Sequence, residues 1–140
     1  MERRRFLPLL LLSVPCLGAD PPPITVRGKL TTGPGGEPAL QSSDGKLTLL
    51  TGDEATVGVL KDPRLAGSDF EAAGHSTGVN QFVIDPIHTR SLFVYKDGKR
   101  QMVTYWCDIC YIRTYTPGKC WCCQQDTRLD LRDPDKVDKK

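Results

Sequence analysis

The sequence predicts a mainly β protein: a small barrel or sandwich with one short helix and a C-terminal cysteine-rich knuckle. Three observations lead there. Short apolar runs recur at near-regular spacing, broken by Gly, Pro and Asp turn residues. A single stretch, Asp53 to Lys61, carries a helical pattern. Five of the six cysteines fall between Cys107 and Cys123.

Taken in order, residues 20–23 (DPPP) form a stiff, extended lead-in. Ile24 to Leu30 alternates apolar and polar residues as a half-buried strand does, with Gly28 as a bulge or a point of close backbone approach. Residues 31–38 (TTGPGGEP) read as loop; the Gly33 to Gly36 run lacks the Lys-Ser/Thr of a phosphate-binding loop. Ser43-Asp44-Gly45 is a turn before a second strand, Lys46 to Leu50. Asp53 can cap the helix, and Val57 and Leu60 give it a short apolar face. Further strands are expected near Ser68 to His75 and Gln81 to Asp85. Leu92 to Tyr95 and Arg100 to Trp106 flank Asp97-Gly98, the clearest hairpin signal in the chain. Arg128 to Leu131 is the last strand.

The two ends differ in character from this domain, which we place at residues 20–132. Arg3, Arg4 and Arg5 precede an apolar run, Phe6 to Val14, and Gly18 and Ala19 offer a cleavage point. That is the layout of a secretory signal peptide over residues 1–19, too short an apolar run to span a bilayer comfortably. Arg3 to Leu7 also fits a twin-arginine signal, although the short leader and Leu-rich core favour general secretion. The expected location is periplasmic or extracellular. Residues 133–140 read as a disordered polar tail.

Removing Glu2, Arg3, Arg4 and Arg5 from 17 acidic and 19 basic residues leaves 16 of each. A neutral chain has no field to attract phosphate backbones or anionic membranes. No nucleic-acid or membrane partner is therefore expected, while a protein partner stays open. The mature domain is about 110 residues, a size at which a metal or disulfide staple helps a modest core.

The segment from about Ile24 to Tyr95 resembles small OB-like β-barrel modules of exported bacterial proteins. The matching pieces are Val26-Arg27-Gly28-Lys29-Leu30, Asp44-Gly45-Lys46 through Leu50, the 53–61 segment, and Gly67 through Gly74. The whole chain is similar to a group of small exported soil-bacterial proteins. They share the phrases Asp85-Pro86-Ile87-His88-Thr89-Arg90 and Thr104-Tyr105-Trp106-Cys107 and the C-terminal cysteine cluster. The resemblance implies a fold and an exported location but no activity.

The chemistry is concentrated at Cys107, Cys110, Cys120, Cys122 and Cys123, spaced C-x2-C-x9-C-x-C-C. A two-residue gap lets two thiolates reach one ion, and a second pair about ten residues on can complete a tetrahedral site. Pro117-Gly118 supplies the turn between them. Four thiolates suit zinc first and copper(I) second. The usual structural motif has C-x2-C in both halves, so C-x-C-C leaves open which of Cys122 and Cys123 is spare. Disulfides are the first alternative, because export implies an oxidising compartment; five thiols then leave one unpaired. The second is thiol–disulfide exchange through Cys107 and Cys110, weakened because that C-x-x-C follows a strand and not a helix N-terminus.

His88 is a possible ligand but reads first as a hydrogen-bonded loop residue, and His75 as turn surface. Tyr105, Trp106, Tyr111, Tyr115 and Trp121 read as cover for the cysteine knot. Lys96, Lys99, Arg100 and Arg113 read as a solvated face. The expected function is a metal-binding domain in a structural or binding role, not a catalyst.

Overall fold

The computed structural model describes residues 22–137, so the leader expected over residues 1–19 and the last three residues lie outside it. Five strands close a barrel: β1 (Ile24–Thr32), β2 (Pro38–Gln41), β3 (Leu47–Thr51), β4 (Asp69–Gly78) and β5 (Gln81–Ile84). Antiparallel pairs join β1 to β2, β2 to β3, β5 to β4 and β4 back to β1. β3 and β5 run parallel. A parallel pair needs a crossover, supplied here by α1 (Glu54–Leu60) and β4.

Asp53 caps α1, accepting a hydrogen bond from the Thr56 amide at 2.8 Å. The helix buries Thr56, Val59 and Leu60. Leu60 turns inward as expected, but its apolar companion is Val59 and not Val57, because positions 56, 59 and 60 share one helical face. Gly28 is a close approach: a Cβ there would sit 2.7 Å from the Gln41 carbonyl oxygen.

β4 is the strand with the most partners in the single sheet. One edge pairs with β1, while the other pairs first with β6 (Leu92–Lys96) and then with β5. From β6 the sheet continues to β7 (Lys99–Cys107) through the expected turn, with Asp97 and Gly98 at φ of 53° and 75°. β7 pairs along Met102 to Trp106 with β9 (Arg128–Arg132) and, at its end, with β8 (Ile112–Thr114). A helical turn, α2 (Pro134–Val137), follows β9. One core, including Leu50, Leu65, Phe70, Phe82, Val103 and Tyr105, spans barrel and extension. Each such side chain contributes about 1.5–3 kcal/mol by leaving water.

Two strands had no sequence signal. β2 begins inside the stretch read as loop, and three of its four residues (Pro38, Ala39, Leu40) are buried, so it shows no alternation. β8 is three half-buried residues on the edge of β7. Among the described residues, no helix is long and apolar enough to cross a membrane.

Candidate metal centre

The cysteines sit on two turns of the same build. Cys107 ends β7 and pairs with Ile112 of β8. Between them the Tyr111 amide donates to the Cys107 carbonyl at 3.0 Å, and Tyr111 adopts a φ of 53°. In the second turn, the Gln124 amide donates to the Cys120 carbonyl at 2.9 Å, and Gln124 adopts a φ of 61°. A miniature ladder supports that turn: the Cys120 amide donates to the Gln125 carbonyl at 2.8 Å, and Lys119 bridges Asp126. The motif is therefore C-x2-C twice, Cys107/Cys110 and Cys120/Cys123, with Cys122 as a spacer in the second turn.

The Sγ atoms of Cys107, Cys110, Cys120 and Cys123 all lie within 4.8 Å of one another. Those of Cys107 and Cys123 are 3.5 Å apart. A tetrahedral ion with metal–sulfur bonds of about 2.3 Å holds its sulfurs about 3.8 Å apart, so the four can hold a metal ion with small adjustments. None of the five cysteines among the described residues is in a disulfide, which would need sulfurs about 2.05 Å apart. Cys107 and Cys120 are buried, Cys110 and Cys123 half-buried. Cys122 is exposed and outside the four-sulfur set.

Backbone amides are aimed at the sulfurs. The Cys110 amide donates to Cys107 Sγ at 3.4 Å. Amides of Cys123 and Cys122 donate to the Cys120 sulfur and bring that thiol down to about 7, against the opposing effect of burial. Such donors stabilise charge on a thiolate. Cys110 is pushed up, first by its hydrogen bond with the Cys122 thiol and then by burial. At Cys123 the Gln125 amide favours the thiolate, but burial and the neighbouring sulfurs outweigh it and raise the thiol. Loading an ion near neutral pH must therefore displace thiol protons, so affinity falls as pH falls.

A buried polar network ties this segment to the barrel. Asp62, just beyond α1, accepts from the Tyr105 hydroxyl at 2.7 Å and from Arg64 at 2.9 and 3.0 Å. Arg64 also donates to the Thr127 carbonyl at 3.1 Å, and Thr127 Oγ1 donates to the Gly118 carbonyl at 2.7 Å. These residues carry no sequence motif. Tyr105 is fully buried, so Tyr105→Phe removes one partner from a buried carboxylate; we expect a loss of about 1–3 kcal/mol by urea denaturation.

Burial works against the Asp62 carboxylate, yet the hydrogen bonds from Arg64 and Tyr105 hold it below the usual range. A carboxyl lowered on folding contributes its stability above the unfolded value, near 3.9, and loses it as pH falls through the native one. We expect Asp62→Asn to be less stable at pH 7 and to lose less further stability than the native chain on acidification below about pH 4, measured by denaturation at each pH.

Other candidates fall elsewhere. His88 Nε2 lies 3.2 Å from the Tyr115 carbonyl oxygen, as expected of a structural loop residue, and His75 pairs with Asp85 at 3.3 Å. Of the aromatics, Tyr105 is core, whereas Tyr111 (75% exposed) and Trp121 (70% exposed) face solvent and do not cover the cysteines. Backbone amides of the turns reach the sulfurs instead. Arg100 and Arg113 are not a freely solvated face: Arg100 pairs with Glu71 at 2.8 Å over the Phe93 ring, and Arg113 pairs with Asp130 at 2.9 Å over Trp106.

Fold and site together define a small closed β-barrel protein with a four-cysteine cluster on its C-terminal extension. Comparison of the chain with family models, with curated proteins and with solved structures gives no match.

Proposed function

We propose that the chain is a small exported protein whose Cys107, Cys110, Cys120 and Cys123 thiolates hold one structural zinc ion. The carrying observation is the convergence of four sulfurs within 4.8 Å from two C-x2-C turns of matching build. Four protein ligands leave no open position for substrate, which favours a structural over a catalytic ion. Four thiolate ligands with no open position favour zinc over copper. Export rests on Arg3 to Arg5 and the Phe6 to Val14 run. The strand order β1-β2-β3-β5-β4-β1, with α1 between β3 and β4, supports an OB-like barrel as the scaffold.

The test is intact native mass, elemental analysis and a free-thiol count on the purified chain. One zinc per chain, with four further thiols reacting only after chelation, is the expected result. No metal, with the cysteines paired as disulfides, overturns the metal reading and leaves a disulfide-stapled interaction module.

A further inference from the structure

The outer face of the barrel carries a cleft that the cysteine cluster does not explain. Register across three strands sets Thr51 of β3, Val83 of β5 and His75 of β4 in one row. Leu50, Phe82 and Ile84 alternate with them and are buried in the core, so the row faces solvent. Thr77 lies two residues past His75, at a break in the β4–β5 register where β4 carries one extra residue. Asp53 and Asp85, just past the ends of β3 and β5, complete the wall. The cleft has a volume of about 520 Å³, within the range of small-ligand sites.

Its polar groups are nearly all acceptors. His75 Nδ1 lies 3.3 Å from Asp85 Oδ1. The carboxylate favours the ring proton on that nitrogen and leaves Nε2 with a lone pair. Nε2 has no hydrogen-bond partner among the described residues, and neither has Asp85 Oδ2. Thr51 turns its hydroxyl hydrogen to the Phe82 carbonyl at 3.4 Å. Asp53 keeps Oδ1 on the Thr56 amide and its charge at the rim. Thr77 alone can donate. No lysine or arginine lines the cleft. An anion would meet two carboxylates with no counter-charge, so a fitting ligand brings donors and positive charge.

We propose that this cleft binds an alkylammonium ion, whose NH₃⁺ group donates to Asp85 and to His75 Nε2 while its apolar stem lies along Val83. The donors of one ammonium match the convergent acceptors, and an ionised acceptor strengthens the bond. Asp85 and His75 are partly open to water, which screens the charge, so binding is weak but sensitive to the sign of the ligand's charge. None of these residues belongs to the cysteine extension, so the site is independent of any ion there. The same group can arrive on a free small amine or on a lysine side chain.

The experiment titrates the isotope-labelled chain with butylamine, sodium butyrate and butan-1-ol at fixed ionic strength and follows the backbone amide resonances. Those of Thr51, His75 and Val83 should shift with butylamine and saturate at about 10 mM or below, and should stay still with the other two. Asp85→Asn should weaken butylamine binding by about tenfold, with unchanged resonances in the rest of the barrel showing that the variant is folded. Equal shifts with butyrate or butan-1-ol overturn the proposal on the native chain alone. So does butylamine binding that Asp85→Asn leaves unchanged, or a titration that never saturates. Nα-acetyl-lysine methylamide, run beside butylamine, separates the two sources. Equal or tighter binding supports a lysine side chain as the natural ligand, and loss of binding supports a free amine.

Discussion

Chelating the ion, or replacing Cys120 with Ser, is expected to release the segment from Asp108 to Asp126 while leaving the barrel closed. Binding at a structural four-ligand site is worth on the order of 10 kcal/mol, comparable to the whole stability of a small domain. Without it, the two turns keep little to hold them. Beyond the turns, the segment is tied to the rest by the short β7–β8 pairing, the His88–Tyr115 contact, the Arg113–Asp130 pair and the Arg64–Thr127 link. Cys120 is fully buried, so Ser there also places a hydroxyl where a thiolate belongs. Amide hydrogen exchange separates the parts. The Tyr111 and Gln124 amides, bonded to the Cys107 and Cys120 carbonyls, should lose protection; that of Leu30, bonded to the Ser68 carbonyl at 2.9 Å, should keep it. Unchanged protection at Tyr111 and Gln124 after complete metal removal would show that the turns stand without an ion.

Gly74→Ala is expected to cost about 3 kcal/mol or more, the largest loss from any single added methyl group in the barrel. A Cβ at this position would lie 2.0 Å from the Val83 carbonyl oxygen and 2.9 Å from Ile84 Cα. Both neighbours are backbone, so no side chain can swing away. Gly74 also lies where β4 changes partner, between Ala72 opposite Leu92 and the register of Gly74 with Ile84. Relief requires pulling β5 from β4, which opens the barrel next to its parallel β3–β5 pair. The check is the denaturation midpoint against Gly45→Ala as a control, where a Cβ meets no neighbour and the φ of 88° alone costs stability. Equal midpoints for the two variants would mean that β4 and β5 separate easily.

The legible part of the fold was what repeats or punctuates. Asp97-Gly98 marked its hairpin because few residues other than Gly, Asn and Asp adopt positive φ. Asp53 marked the start of α1 because a carboxylate before a helix satisfies an orphan amide. β2 was illegible for the opposite reason: Pro38, Ala39 and Leu40 are all buried, and a strand hidden on both faces loses its alternation. At the site, the cysteine count obscured the motif. Cys122 broke the visual symmetry of C-x2-C, and only the matching bonds from Tyr111 and Gln124 restore it. The Asp62, Arg64, Tyr105 and Thr127 network left no trace in the sequence, because its members are up to 65 positions apart and meet only when the barrel closes.

The position of the two turns between β7 and β9 has a consequence for chain entropy. β9 must find β7 across a connection of roughly 20 residues, Asp108 to Thr127. An ion joining Cys107 to Cys123 shortens the free part of that connection to roughly four residues. Loop closure grows dearer with the logarithm of length, so the shortening is worth about 1.4 kcal/mol, close to a tenfold rise in the effective concentration of β9 beside its partner. An ion bound there would act at a distance from its ligands, as a splice that turns a long tether into a tight hairpin and holds β9 on the edge of the sheet.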